Sequence, residues 1–337
     1  MNAAPHNRIL IGDARQVLAT LPADSVDCII SSPPYFQLRN YQHEAQIGLE
    51  GHVDDWVHEL LGVARKLAVV LKHSGALWLN LGDTYSRHTR QGAPEKSLLL
   101  APERLALALT ADGWVLRNKV IWAKTNPVPS SVADRLANTY DLVYFLVRER
   151  HYFFDLDAVR VPHTSSRKPS QTKGWQLPYG WRPPSSPSDN GGLNRMKTDG
   201  RVGHPPGKNP GDVWALATGG YRVAHHSIFP ERLIERPLLA TCPEQVCAGC
   251  GRPWVREAVR KLGALAVAGE LAPTCGCKAA SRPGLVLDPF MGSGTVAAVA
   301  TRLHRHWLGI EINPHFAELA QERVRRLEQR APPAKAA

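Results

Sequence analysis

Two short segments, far apart in the chain, combine residue types whose order and spacing could carry out chemistry. The later segment reads Asp288-Pro289-Phe290-Met291-Gly292-Ser293-Gly294-Thr295 and follows an apolar stretch. This is the pattern of a strand, a glycine turn and a helix start, which holds nucleoside cofactors. The earlier segment, Ser31-Ser32-Pro33-Pro34-Tyr35, follows an apolar strand and presents one hydroxyl, backbone carbonyls and one ring to a flat substrate. Together they predict methyl transfer to a nucleobase amine.

The glycine segment predicts how the cofactor is held. The run from Gly292 fits G-x-G-x-x-G/A, a pattern that is weak by itself. Glu311 lies 17 residues after Gly294, at the end of the next predicted strand, where an acid suits two ribose hydroxyls. If the cofactor is S-adenosylmethionine, Asp288 would accept a hydrogen bond from the cofactor's ammonium group, and the helix N-terminus would face the cofactor's carboxylate. The alternative is that Asp288 and Thr295 only form and cap the turn.

The serine segment predicts how the base is held. An exocyclic amine donates its lone pair into the ring, so acceptors that hold both N–H groups out of the plane make it a better nucleophile. The Ser32 hydroxyl and the Pro33 carbonyl are suitable acceptors, and the two prolines stiffen the loop. Tyr35 would stack on a base that has left the duplex. The alternative is an ordinary turn.

Alternating apolar strands and helices must position these segments, and they predict a largely parallel α/β sheet. Only 40 residues follow the glycine pattern, so N-terminal strands must complete the sheet in a circularly permuted order. Gly75 is expected to break the chain before one strand, and Pro237 to limit one helix. Strands are predicted at 8–11, 26–30, 76–81, 115–122, 140–147, 285–287 and 307–310, and helices at 14–21, 54–71, 102–109, 233–239, 295–303 and 314–330. Asp13 caps the first helix in one interpretation and binds the cofactor in another. Asp83 either lines the base pocket or closes a turn.

The charge is concentrated in one irregular region. Lysine and arginine number 41 against 30 acids, for a formal charge of +11, which favours nucleic acid as the partner. Residues 160–222 hold ten of these cations against three acids, with nine prolines and ten glycines. We therefore predict that this region reads DNA, the alternative being a basic disordered linker. The predicted DNA-binding residues are Arg167, Lys168, Lys173, Trp175, Trp181 and Arg182.

Five of the six cysteines cluster late in the chain. Cys247-x-x-Cys250 and Cys275-x-Cys277 form two pairs whose neighbouring glycines permit the tight turns of a tetrahedral zinc site. Cys242 is an alternative ligand, and unmetallated thiols are the other interpretation. No run reaches the roughly 18 apolar residues that span a bilayer, and the first ten residues lack a signal-peptide stretch. We therefore expect a cytoplasmic protein without membrane contact.

Several motifs occur in the order of a known family. The chain resembles the exocyclic amino-methyltransferases of DNA in their β arrangement, with the catalytic motif first, the target-recognition region in the middle and the cofactor motif last. Matching segments are 8–13, 25–27, 31–35 and 288–295, and Phe229-Pro230-Glu231-Arg232-Leu233 resembles the segment that closes over the cofactor. The resemblance implies a Rossmann-like, circularly permuted sheet that uses S-adenosylmethionine. The cofactor-binding residues would be Asp13, Phe229, Asp288, Phe290, Gly292, Gly294, Thr295 and Glu311, and the catalytic residues Ser32, Pro33, Pro34 and Tyr35.

The resemblance also divides the chain and narrows the reaction. Residues 1–159 would form the catalytic half, 160–224 the target-recognition region, 225–241 the closing segment, 242–280 a zinc-binding insertion and 281–330 the cofactor half, before a disordered tail at 331–337. In the family, Ser-Pro-Pro-Tyr is usual for cytosine N4 and Asp-Pro-Pro-Tyr for adenine N6, which remains the rival activity. Cytosine C5 methylation is disfavoured because no cysteine follows a proline. A catalytically inactive, zinc-bearing DNA-binding protein is the rival from another class. Double-stranded DNA is the expected partner, and the sequence leaves open a cognate restriction enzyme and the oligomeric state.

Overall fold

The computed structural model describes residues 4–41, 43–162, 207–219, 229–259 and 267–330. The strands are β1 Arg8–Ile11, β2 Val26–Ser31, β3 Leu71–Leu81, β4 Val115–Lys124, β5 Tyr140–Val147, β6 Val213–Leu216, β7 Val246–Cys247, β8 Trp254–Val259, β9 Val267–Pro273, β10 Ser281–Arg282, β11 Leu285–Asp288 and β12 His306–Glu311. The helices are α1 Ala14–Val17, α2 Val53–Val70, α3 Ala101–Ala111, α4 Glu231–Thr241, α5 Thr295–Arg302 and α6 Pro314–Arg330. Short 3-10 turns lie at Leu18–Thr20, Thr89–Gln91 and Asp157–Val159.

Eight strands form one mixed sheet in the order β1-β12-β11-β2-β3-β5-β4-β6. The first five run parallel, so that the two C-terminal strands lie between β1 and β2 and complete the permuted order that the sequence predicts. Strand β5 runs antiparallel to both β3 and β4, and β6 is parallel to β4. The expectation of a largely parallel sheet is therefore confirmed: five of its seven strand pairings are parallel, and both antiparallel pairings involve β5.

Helices cover both faces of the sheet and bury two apolar cores. On one face, α1, α2 and α3 pack over a core that includes the fully buried Trp56 and Leu105. On the other face, α4, α5 and α6 pack against the sheet and contribute Leu238, Val299 and Val324 to the second core. This three-layer arrangement explains the apolar composition of the central strands, which are buried on both faces.

Most predicted elements are present, and the differences have physical causes. Gly75 does not break the chain: β3 runs through it, and a Cβ there would come within 2.5 Å of the Leu71 side chain. The helix predicted over 14–21 ends at Val17 and continues as a 3-10 turn. Pro237 does not limit α4, which extends two residues further in each direction than predicted because its apolar face is buried against the sheet.

The chain divides into two compact units, one of residues 1–155, 211–256 and 270–337, the other of 156–210 and 257–269. The clefts described below lie in the first unit. Within the described ranges, no helix is both long and apolar enough to cross a membrane.

Candidate active site

The carboxyl ends of the five parallel strands meet at one edge of the sheet, where ligands bind in open α/β folds. Two adjoining clefts open there. The cofactor cleft encloses about 870 Å³, counting the part open to solvent, and is lined by Gly12, Asp13, Ala14, Ser32, Pro34, Tyr41, Ala45, Gln46, Ile47, Phe229, Pro289, Phe290, Met291, Gly292, Ser293, Thr295, Ile310, Glu311, Ile312 and Phe316. Six of the eight residues predicted to bind the cofactor line this cleft. The other two belong to the same segment: Asp288 is the last residue of β11, and Gly294 directly precedes α5.

The glycine turn has the backbone that its sequence requires. Gly292 and Gly294 have φ values of +51° and +77°, a region that L-residues with side chains rarely adopt. No atom lies within 4 Å of where a Cβ on Gly292 would stand, so a side chain would project into the cleft. The Gly292 amide donates to Glu311 Oε2 at 2.7 Å, and the Asn313 amide to Oε1 at 2.9 Å. Glu311 is thereby fixed at the end of β12 with acceptor capacity left for a ligand.

Asp288 is buried at the end of β11 with one oxygen committed and the other unpartnered. Its Oδ1 accepts from the Ser31 hydroxyl at 2.7 Å and from the Phe290 amide at 3.1 Å. Its Oδ2 is buried without a hydrogen-bond partner among the described residues. Burial raises the pKa of this carboxyl to about 7, against the lowering effect of the Ser31 hydrogen bond. A buried acceptor in this state fits a ligand that carries an ammonium group.

Asp13 and Thr295 have structural partners of their own. The Asp13 carboxylate accepts from the Arg15 amide at 2.7 Å and caps α1, as the capping interpretation predicts. The Thr295 hydroxyl accepts from Arg323 at 3.0 Å. Both side chains nevertheless line the cofactor cleft, so the capping and ligand-binding interpretations do not exclude each other.

The second cleft, the base cleft, encloses about 1550 Å³ on the same measure. It shares Ser32, Tyr41 and Phe229 with the cofactor cleft, so Ser32 stands on the boundary between the two. The backbone of its loop is held from below, since the Trp56 indole of α2 donates to the Pro34 carbonyl at 2.9 Å. The base cleft is lined by Ser32, Pro33, Tyr35, Leu38, Arg39, Tyr41, Asn80, Gly82, Asp83, Trp122, Lys124, Pro127, Val128, Asn138, Tyr140, Asp141, Thr218, Gly219 and Phe229.

A hydrogen-bond network ties Ser32 to its surroundings. The Ser32 hydroxyl donates to the Tyr35 hydroxyl at 3.3 Å, and the Asn80 amide nitrogen donates to Tyr35 at 2.8 Å and to Ser32 at 3.4 Å. The amide oxygen of Asn80 is buried and has no hydrogen-bond partner in the described part of the chain. Burial raises the pKa of Tyr35 well above its ordinary value, so its hydroxyl remains protonated at neutral pH. The site therefore contains two free acceptor positions, one on Ser32 and one on Asn80.

Sequence reasoning missed several polar residues of the base cleft, among them Asn80, Lys124 and Asp141. Asn80 is inside β3, while Lys124 ends β4 and Asp141 is the second residue of β5. The Lys124 ammonium and the Asp141 carboxylate pair at 2.8 Å. For Asp83 the structure shows both predicted features together: as a turn acid, its carboxylate accepts from the Leu100 and Ala101 amides at the start of α3. Asp83 also lines the base cleft.

The four predicted metal ligands come together in space. The sulfur atoms of Cys247, Cys250, Cys275 and Cys277 all lie within 4.8 Å of one another. Backbone amides, that of Cys250 foremost, lower the pKa of the Cys247 thiol to about 6, which favours the thiolate that a metal requires. Cys242 is fully buried with its sulfur next to Gly284, and it is not part of the cluster. The donor set fits a tetrahedral structural zinc ion.

The predicted DNA-reading residues lie outside the described part of the chain. These are Arg167, Lys168, Lys173, Trp175, Trp181 and Arg182. The described connection between β4 and β5 is exposed and contributes Pro127, Val128 and Asn138 to the rim of the base cleft.

Comparison with known proteins identifies the group to which this arrangement belongs. Residues 26–322 match the N6/N4 DNA methylase family model. The type II methyltransferase M.SmaI of Serratia marcescens is 30% identical over 95% of this chain and 91% of its own length. M.XycI of Xanthomonas campestris pv. cyanopsidis is 31% identical over 93% of this chain and 86% of its own length.

Solved structures match the fold at lower sequence identity. The PvuII DNA methyltransferase, described as cytosine-N4-specific, superposes with a TM-score of 0.57 at 16% identity, covering 97% of this chain and 93% of that one. A DNA modification methylase of Thermus thermophilus, complexed with S-adenosyl-L-methionine, gives a TM-score of 0.52 at 21% identity, covering 95% and 93%. The family match and the close relatives confirm the resemblance inferred from the motifs: the chain belongs to the N6/N4 DNA methylase family and is an S-adenosylmethionine-dependent DNA methyltransferase.

Proposed function

We propose that this enzyme methylates the exocyclic N4 amine of a cytosine that has left the DNA duplex. The observation that carries the proposal is the position of Ser32 on the boundary between the two clefts. A base in one cleft can then present its amine to a methyl donor in the other. The residue type agrees, because the family uses serine at this position chiefly for cytosine and aspartate chiefly for adenine.

The cofactor cleft would hold S-adenosylmethionine through residues at and after the ends of β11 and β12. Asp288 Oδ2, buried and unpartnered among the described residues, would accept from the ammonium group, and Glu311 would accept from the ribose hydroxyls. Phe290, Ile312 and Phe316 supply an apolar wall suited to the adenine ring. When bound, the cofactor supplies an electrophilic methyl group.

The base cleft would activate the amine by hydrogen bonding rather than by covalent attack. The Ser32 hydroxyl and the Pro33 carbonyl would accept from the two N–H groups of the amine. Asn80 lines the same cleft, and its amide oxygen, unpartnered among the described residues, is a third acceptor. Holding the N–H groups out of the ring plane returns the lone pair to nitrogen. Because two prolines and the Trp56 hydrogen bond fix the loop, the acceptors need little rearrangement during the reaction.

The four-cysteine cluster would hold one structural zinc ion. It is joined to the sheet through Lys72, whose ammonium donates to the Gly251 carbonyl at 3.1 Å and pairs with the buried Asp27 at 2.6 Å. Four thiolates complete a tetrahedral shell, so no position is left for a reacting water. The metal would therefore stabilise the fold and take no part in the chemistry.

The biological role we propose is DNA modification paired with a restriction enzyme, as the type II designation of the relatives M.SmaI and M.XycI indicates for those proteins. Residues 160–224 would read the DNA sequence.

The product identifies the reaction. DNA from a host without methyltransferases would be incubated with the purified protein and S-adenosylmethionine, digested to nucleosides and analysed by mass spectrometry. We expect N4-methyldeoxycytidine, and far less of it with Ser32→Ala. Accumulation of N6-methyldeoxyadenosine instead would assign the adenine activity.

A further inference from the structure

We propose that Asp141 is a positioning residue for Ser32 and the final acceptor of the proton that leaves the base amine, reached through the Tyr35 hydroxyl. This rests on the proposed amine methylation, but Asp141 and its partner Lys124 lie outside the family motifs.

The antiparallel pairing of β4 and β5 brings the carboxylate to the base cleft. Asp141 lies opposite Trp122 in the register, and its carboxylate pairs with the Lys124 ammonium at 2.8 Å. The side chains are only 12% and 22% exposed, so the ion pair is largely removed from water. Gly82, at the end of β3, leaves the space that Tyr35 and Asp141 share. A Cβ there would be 2.7 Å from Tyr35 Cε2 and 3.0 Å from Asp141 Oδ1.

The direction of each hydrogen bond follows from the donors present. The Tyr35 oxygen accepts from Asn80 and from Ser32, so its own hydrogen is free to point toward the neighbouring Asp141 carboxylate, and a hydrogen bond from Tyr35 would lower the pKa of that carboxyl. With its hydrogen directed at Tyr35, the Ser32 oxygen faces the amine as an acceptor. The Asp141 carboxylate thus fixes the orientation of a hydroxyl that it does not touch.

The proton step balances along this chain. When nitrogen forms its bond to the methyl group, it becomes a cationic ammonium that must lose one proton. That proton moves to the Ser32 oxygen as the serine hydrogen moves to Tyr35 and the tyrosine hydrogen moves to Asp141. The amine becomes neutral, Ser32 and Tyr35 regain hydroxyl groups, and Asp141 becomes a carboxylic acid. Asp141 lines the open base cleft, so it returns the proton to water between turnovers.

Among the described residues, Lys124 from β4 and Tyr35 from the loop after β2 act on the Asp141 carboxylate, and the uncharged Gly82 lies beside it just after β3. Burial raises the pKa of Asp141, and the Lys124 cation and the Tyr35 hydrogen bond oppose that rise. The result is a carboxylate with a pKa above the usual range, which makes it a stronger proton acceptor than an exposed aspartate.

Single-turnover methylation at saturating cofactor and phage λ DNA, measured from pH 4.5 to 8.5, tests this assignment. We expect the wild-type rate to fall at low pH as Asp141 becomes protonated, and this falling part of the pH–rate profile is its acid limb. Asp141→Asn should lower the plateau rate at least tenfold and remove that acid limb, with cofactor affinity unchanged. Lys124→Met removes the cation that opposes protonation, so its acid limb should move to higher pH while the plateau is largely retained.

A matched ion pair provides the control. Asp112→Asn and Arg65→Met break a 2.7 Å pair between α2 and the residue after α3; neither residue lines either cleft, and both variants should leave the profile unchanged. An acid limb that persists in Asp141→Asn, or fails to move in Lys124→Met, would overturn the assignment. Calorimetry of cofactor binding shows whether each variant is folded. Total methyl incorporation is counted whichever base receives it, so a different product would refute the cytosine-N4 proposal without affecting this test.

Discussion

Cofactor affinity should depend on pH through Asp288. This carboxyl is buried, and its pKa is raised to about 7, so near neutral pH it is half protonated before the cofactor binds. The cofactor's ammonium group would sit against its unpartnered oxygen and favour the ionised form. Binding below pH 7 therefore requires release of a proton from Asp288, and affinity should fall as the pH is lowered.

The size of the effect follows from the pKa. Each pH unit below 7 weakens cofactor binding by about 1.4 kcal/mol, or a factor of about ten in affinity, whereas the affinity changes little above pH 7. Between pH 8 and pH 6 we expect the dissociation constant to rise about tenfold. Asp288→Asn should bind more weakly at pH 8 and lose this pH dependence.

Isothermal titration calorimetry in buffers of different ionisation enthalpy measures both the affinity and the proton released on binding. At pH 6 close to one proton per cofactor should appear, and at pH 8 nearly none. Glu318→Gln, on the exposed side of α6, is a charge-matched control. Equal affinity of the wild type at pH 6 and pH 8 would contradict the assignment of Asp288 to the ammonium group.

Four further predictions concern the other parts of the site. Ser32→Ala should lower the methylation rate on the order of a hundredfold and leave cofactor affinity intact; normal turnover would remove the hydroxyl from the mechanism. Gly292→Val should weaken cofactor binding in calorimetry and destabilise the turn by about 1–2 kcal/mol, because the residue needs positive φ and faces the cleft; unchanged affinity would argue against a cofactor in this cleft. Protein purified without chelator should contain about one zinc per chain by metal analysis, and chelation should lower the melting temperature, whereas metal-free, equally stable protein would refute the zinc site. When alanine replaces Arg167, Lys168 and Lys173, the salt slope of DNA binding should fall by roughly 0.9 for each DNA phosphate that is no longer neutralised; an unchanged slope would place the phosphate-binding residues elsewhere.

Site residues that belong to a short sequence motif could be predicted. Those that reach the site only through the direction of their strand could not. The turn was predicted from two glycines that follow an apolar strand. Glu311 was predicted from its spacing of 17 residues after Gly294. The cysteine cluster was predicted from two close pairs although 24 residues separate them. All of these signals arise from short stretches whose backbone conformation is largely set by neighbouring residues.

Lys124 and Asp141 show what such reasoning misses. Their strands could belong to a parallel or to an antiparallel sheet, because neither strand sequence indicates the direction in which the strand runs. Only the antiparallel direction of β5 puts its second residue at the edge where the parallel strands end. Asn80 was missed for another reason: it lies within a buried strand, where polar residues usually serve the core. A polar residue in an apolar run beside a predicted site was the available signal.

The most direct test of the central claim locates the new methyl group on a particular nitrogen. DNA would be synthesised with ¹⁵N only at the exocyclic amine of cytosine and methylated with S-adenosylmethionine that carries a CD₃ group. Digestion to nucleosides and fragmentation in the mass spectrometer should then release methylamine that carries both labels. A CD₃ group on cytosine that fragments without the ¹⁵N label, or one found on adenine, would contradict the assignment of cytosine N4 as the acceptor beside Ser32.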